Sequence, residues 1–222
     1  MTDTGRHPRK SYDEGCIAAH ALDLVGDRWA LLVVRELMLG PKRFGAIRAG
    51  LPGISANILT RRLDDLLAAG VIRRRQLPPP APVQVYDLTA DGHRLRPVIE
   101  SLCRWGAAMP GHDPGLFISP TALMVSMGAM IDHRAAKALE LSAGFDLGDE
   151  RFDAHLDRGR LVARPVATPA GDLVFRGTTN AVASAVYARR PLAETLARGA
   201  VTVEGDPVLA QRFVDLFDLR RD

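Results

Sequence analysis

No apolar run in these 222 residues is long enough to cross a bilayer. Stretches such as Ala122 to Ile131 fall well short of the ~20 residues a spanning helix needs. No basic segment leading into an apolar core opens the chain either, so export is not expected and a cytoplasmic location is. Cysteine occurs only twice, at Cys16 and Cys103, which excludes a disulfide framework and points to reduced thiols. GxSxG, CxxC, HExxH and a glycine-rich loop between strand and helix are all missing. The six histidines, at positions 7, 20, 93, 112, 133 and 155, are scattered without metal-ligand spacing. No catalytic site, cofactor or metal centre is therefore expected. With 47% hydrophobic and 25% charged residues, the chain suits a soluble globular protein of one large or two modest domains.

A strong charge of one sign is missing too, since the net charge is only +3, but its distribution is uneven. Residues 1–112 hold 16 Lys or Arg against 11 Asp or Glu, whereas residues 113–222 hold 13 against 15. The basic excess coincides with the most informative stretch, LPGISANILTRRLDDLLAAG (51–70). There Pro52 and Gly53 end the preceding segment, and Ser55 is a natural N-cap. Leu59, Leu63 and Leu66 fall on one side at helical spacing, while Asn57, Thr60, Arg61 and Asp64 project from the other. Asn, Thr and Arg in the first two turns can reach base edges and phosphates, so this pattern predicts a recognition helix. Arginine outnumbers lysine 26 to 3, a bias of composition, so the charge by itself would not establish DNA binding.

Around this helix, Ile17, Ala21, Leu22 and Val25 recur at helical spacing, and a second helix is expected from an Asp27 N-cap to about Gly40. Arg43 to Ala49 supplies a third. VIRRRQL (71–77) and VQVYDL (83–88) read as a hairpin whose proline-rich tip, 78–82, cannot pair. One further helix is expected from Thr89 to Ala108, with Leu95, Val98, Ile99, Leu102 and Trp105 on one side. This order predicts a winged helix-turn-helix domain over 16–109, preceded by a mobile basic tail over 1–15. PGHDPG (110–115) marks a linker, taken as 110–117. Over 118–222, helices around 120–131, 178–188, 192–198 and 206–219 and strands around 139–147, 151–156, 160–166, 172–176 and 201–203 predict a second domain. Its class is α+β, as is that of the whole chain.

CIAAHALDLVGDRWALLVVRELMLGPKRF (16–44), LPGISANILTRRLDDLLAAGVIRRR (51–75) and VYDLTADGHRLRPVIESLCRWG (85–106) closely resemble the HxlR family of bacterial transcription regulators. The carriers are the Cys before the first helix, the element Gly26-Asp27-Arg28-Trp29 and the YxLT…G…W segment. Ile17 and Arg28 stand where family members often have Pro and Lys. The resemblance implies a homodimer on a palindromic double-stranded DNA operator, paired through the first and last helices of this domain, with repression the expected direction. AGDLVFRGTTNAVASAVYARRPLAETLARGAVTVEGDPVLAQRFVDLF (170–217) is similar to the end of sterol-carrier-type lipid-binding domains, which implies a hydrophobic tunnel and an apolar small-molecule effector.

The expected DNA contacts are Asn57 to adenine, Arg61 to guanine or phosphate, Lys42, Arg43, Ser55 and Thr60 to phosphates, and Arg73 and Arg75 at the base of the wing. In the second domain Met124, Met127 and Met130 lie at i, i+3 and i+6, suited to a pocket that re-forms around varied apolar ligands; plain core packing is the competing reading. Phe145, Phe152, Phe175, Tyr187, Phe213 and Phe217 are the other candidates to line it. Cys16, at a helix start, is a candidate redox switch. Two rival functions follow: a thiol-based sensor through Cys16, or a hydrophobic-ligand carrier that meets DNA incidentally.

Overall fold

The computed structural model describes residues 11–78, 82–188 and 190–219. Most of the expected tail and the wing tip at 79–81 lie outside them. Four helices open the fold: α1 (Ile17–Val25), α2 (Ala30–Glu36), α3 (Phe44–Ala49) and α4 (Ala56–Ala68). An antiparallel hairpin follows, β1 (Ile72–Gln76) with β2 (Gln84–Leu88), then α5 (Ala90–His93) and α6 (Arg96–Ala108). Val33, Val34, Leu37, Ile47, Leu59, Leu63 and Leu66 form the core of this half, each inaccessible or nearly so. This is a helix-turn-helix with a wing.

Two boundaries differ from expectation. Asp27 does not cap α2; its carboxylate accepts a hydrogen bond from Arg62, and the helix starts after Trp29, which sits in the left-handed region at φ 81°. The last helix is split at Arg94–Leu95. Thr89 caps the short α5 by accepting the Gly92 N–H, and α6 restarts with Pro97 in its first turn. Proline has no N–H to continue the α5 ladder, so the break falls where that donor is missing.

The second half is built on α7 (Pro120–Met130), α8 (His133–Ala136), β3 (Leu141–Asp146), β4 (Arg151–Asp157), β5 (Arg160–Pro165), β6 (Leu173–Gly177), α9 (Thr179–Tyr187), α10 (Leu192–Leu196), β7 (Val201–Gly205) and α11 (Pro207–Val214). The five strands run β5-β4-β3-β6-β7, antiparallel except for the β3–β6 pair. Leu141, Ala143, Phe145, Phe152, Ala154, Leu173 and Phe175 share the core with Val182, Val186, Phe213 and Phe217 of the helical layer.

Helix α7 joins the halves. Eight of its eleven residues are buried, as expected for a helix that is apolar all round. Leu123, Met124 and Met127 pack into the sheet domain, while Val125 belongs to the core of the helix-turn-helix. Among the described residues, no helix is long and apolar enough to cross a membrane.

Candidate nucleic-acid interface

Helix α4 is held at its start by Ser55, whose hydroxyl accepts the Ile58 N–H at 3.2 Å. A cap of this kind is worth about 1 kcal/mol. The inner seam of Leu59, Leu63 and Leu66 is buried, and Asn57, Thr60 and Arg61 are exposed on the outer face. The orientation of the helix is fixed by Arg62, a residue the sequence reading passed over. It is buried, bonds Asp27 beyond α1 and pairs with Asp65 one turn along α4 at 3.2 Å. Asp64 on the outer face is bonded by Arg74 of the wing at 2.9 Å, which ties wing to helix.

The three wing arginines are engaged within the fold. Arg73 and Arg75 both donate to the buried Asp87 carboxylate, at 2.9 and 2.7 Å, and Arg74 lies over the Tyr86 ring. Burial works against ionisation of Asp87, but the hydrogen bonds and charges of Arg75 and Arg73 outweigh it and hold its carboxyl below the usual range. Arg73 and Arg75 remain half-exposed with one carboxylate between them, so this pair offers DNA about one net positive charge. Arg43 is exposed just ahead of α3, as expected, and Arg48 at the other end of α3 is a second exposed cation not singled out from the sequence.

Lys42 departs from its expected role. Its ammonium does not reach outward to phosphate: it lies 3.1 Å from Glu36 and 2.7 Å from Glu150, with its side chain only 11% exposed. Glu36 is fully buried and also accepts from Arg35 at 2.8 Å and from the Ser119 hydroxyl at 2.6 Å. Gly50 makes room for it, because a Cβ there would stand 2.3 Å from the Glu36 carboxylate. Glu150 in turn accepts from Thr121 at 3.2 Å. The main chain of Lys42 meanwhile pairs with Tyr86 of β2. Lys42 is therefore a joint between the two halves: Glu36 is six positions away, but Glu150 is 108 positions away in sequence and invisible to local reading.

The nine residues nominated for a ligand tunnel pack in or against the core. The Phe145 and Phe175 rings stack at 5.2 Å, and Phe213 tilts against both. Met124, Met127 and Met130 are buried, and the Tyr187 hydroxyl shares a hydrogen bond with Ser126 at 2.8 Å. Of two surface grooves in this domain, the one beside Pro191 touches a single nominee, Phe217, at its edge, and the one between Phe117 and Arg176 touches none. Close-packed aromatic interiors and ligand tunnels draw on the same residue types, which is why composition did not separate them.

Cys16 is exposed at the N-terminal end of α1, and the backbone N–H groups of Ala19 and Ala18 lower its thiol pKa. Cys103 is half-buried, and burial raises its pKa.

Apolar residues on two helices remain uncovered. Ile17 (86% exposed) and Leu22 on α1, and Val98, Leu102 and Trp105 (64%) on α6, the apolar residues the sequence placed at helical spacing on the first and last helices of this domain, face solvent. Only Ile99 of the α6 set is buried.

Residues 24–113 match the HxlR-like helix-turn-helix family. The HTH-type transcriptional regulator sll1512 of Synechocystis is 36% identical over 107 residues, covering 48% of this chain and 79% of the relative. The regulator YodB of Bacillus subtilis is 36% identical over 85 residues, 38% of this chain and 76% of YodB. The solved reduced form of YodB aligns at 33% identity with a TM-score of 0.40, over 45% of this chain and 100% of that one. The chain belongs to the HxlR-like helix-turn-helix family of transcriptional regulators.

Proposed function

We propose that the protein binds double-stranded DNA as a homodimer, setting α4 of each protomer into the major groove of a palindromic operator. The two-faced construction of α4 carries this reading: a leucine seam is buried while Asn57, Thr60 and Arg61 stand free. Asn57 is suited to adenine and Arg61 to guanine or phosphate. Ser55, Arg43 and Arg48 lie on the same two helices as phosphate contacts, and Arg73 and Arg75 assist from the wing. The uncovered apolar residues of α1 and α6 supply the surface that pairs the protomers. In this reading the C-terminal domain, whose strand and helix order over 173–214 fits a sterol-carrier-like layout, accommodates a small-molecule effector. Such an effector acts on DNA only if it binds the two states of the protein unequally.

Arg61→Ala tests the contact. Arg61 is exposed, so folding should be unaffected. Operator affinity, measured on a fragment selected from random DNA, should fall about 30-fold or more, because the dimer loses two contacts of ~1–3 kcal/mol each. Unchanged affinity would remove α4 from the interface.

One observation favours a second reading, a thiol switch on α1. Cys16 combines exposure with a lowered pKa, and α1 belongs to the proposed pairing face. As pH rises, the Cys16 thiolate forms before that of Cys103, whose pKa is raised. Iodoacetamide near neutral pH should therefore alkylate Cys16 well ahead of Cys103, as followed by peptide mass spectrometry. Equal rates would leave Cys16 an ordinary thiol.

A further inference from the structure

The groove between Phe117 and Arg176 has a volume of about 520 Å³, the size of small-molecule sites. Its walls are the segment Phe117–Ile118, the β3–β4 turn from Asp146 to Asp149, and the residues leading into α9. Leu147 and Ile118 give it an apolar floor, and Phe117 presents an exposed ring above them. Asn180 fixes that wall, donating to the Leu116 carbonyl at 2.6 Å and accepting the Ile118 N–H at 3.3 Å.

The charges of the lining decide what it can hold. Asp146 is engaged by Arg151 at 3.1 Å and Arg176 at 3.7 Å, and Arg176 is also bonded by Glu204 at 3.2 Å. These groups neutralise one another. Asp149 is exposed and carries no ion pair among the described residues. The N-terminus of α9 contributes roughly half a positive charge, less than the full unit on Asp149. The groove is therefore apolar with a net negative rim.

Its position matters as much as its chemistry. Ile118 directly precedes Ser119, which donates to Glu36, and Asp149 directly precedes Glu150, which accepts from Lys42. Both walls are thus one residue from the two side chains that hold the DNA-binding half.

We propose that this groove binds a cationic amphiphile, an amine or quaternary ammonium on an aromatic or alkyl body, and that Ser119 and Glu150 transmit its occupancy to the helix-turn-helix. The apolar body covers Leu147, Ile118 and Phe117, and the cation lies between Asp149 and the Phe117 ring face. The binding half of this proposal is independent of the DNA reading; the transmission half rests on it.

The test uses the full chain and two dyes of similar ring size, cationic rhodamine 6G and anionic fluorescein, followed by fluorescence anisotropy without DNA. Rhodamine 6G should bind saturably, one per protomer, and fluorescein should not. Asp149→Lys should weaken rhodamine 6G roughly tenfold or more. Phe117→Ala should weaken it about threefold. Both positions are exposed, so the circular dichroism melts should match that of the parent chain. Equal binding of fluorescein, or rhodamine 6G affinity indifferent to both variants, overturns the site. In a second arm, saturating rhodamine 6G should change affinity for the selected operator, and Lys42→Met should abolish that change. Dye binding with operator affinity unmoved overturns the transmission. A chain that binds the dye but selects no operator leaves the site standing and refutes the DNA reading instead.

Discussion

Lys42→Met is expected to destabilise the protein by about 3 kcal/mol while leaving the salt dependence of operator binding unchanged. Removing the ammonium leaves the fully buried Glu36 facing Glu150 with no cation between them. Breaking a buried pair in this way typically costs ~3–5 kcal/mol, because the remaining charge is stranded away from water. Arg35 and the Ser119 hydroxyl still hold Glu36, and Glu150 is partly solvated, so the lower end of that range applies. For a chain of this size the melting temperature should drop by about 6–12 °C. Glu150→Gln added to Lys42→Met should restore part of the loss, since it removes one of the two opposed carboxylates. The alternative, Lys42 as a phosphate contact, predicts the reverse: unchanged melting, and a slope of log affinity against log salt smaller by about two, one for each protomer of the dimer. Thermal unfolding and a salt titration of operator binding separate the two.

Much of this architecture could be read from local pattern. The 3.6-residue spacing of Leu59, Leu63 and Leu66, the Ser55 cap and the alternation across 71–88 specify α4 and the wing without tertiary information. The strands and helices from 141 to 214 were legible in the same way. What escaped the sequence was set by partners distant along the chain. Trp29 adopts a left-handed conformation that nothing nearby marks, and Asp27 prefers Arg62, 35 residues on, to the helix start beside it. Lys42 looked like a solvent cation until the fold brought Glu150 to it. Two signals were present but under-used. Pro97 announces the break between α5 and α6, and strand register places Arg73 directly across from Asp87, which also draws Arg75. Periodicity alone did not place the apolar residues of α1 and α6 outside, because it reports that a face is apolar and not what covers it; only the family resemblance pointed to those two helices as a pairing surface.

Those exposed residues lead to the largest expected loss of function. Trp105→Glu should convert the proposed homodimer to a monomer and lower operator affinity by roughly 10²–10⁴-fold, the avidity that joining two half-sites provides. Trp105 is 64% exposed in the isolated chain and lies on α6 with Val98 and Leu102, near the size and character of an interface anchor. Val98, Leu102 and Trp105 follow one another at helical spacing, so they stand exposed along one side of α6. In a two-fold interface the same residue occurs on both sides, so each substitution acts twice and sets two carboxylates into one apolar contact. The variant's own fold should be little affected, since the side chain contributes little to the core beneath it. A monomer presents one α4, whereas half-sites about 34 Å apart require two held at a fixed spacing. Trp105→Phe, which keeps an apolar ring, should remain dimeric and bind nearly as the parent chain does. Sedimentation velocity with anisotropy on full and half operators decides the matter. A Trp105→Glu chain that still sediments as the parent does, or a monomer that binds the full operator undiminished, would place the pairing surface elsewhere.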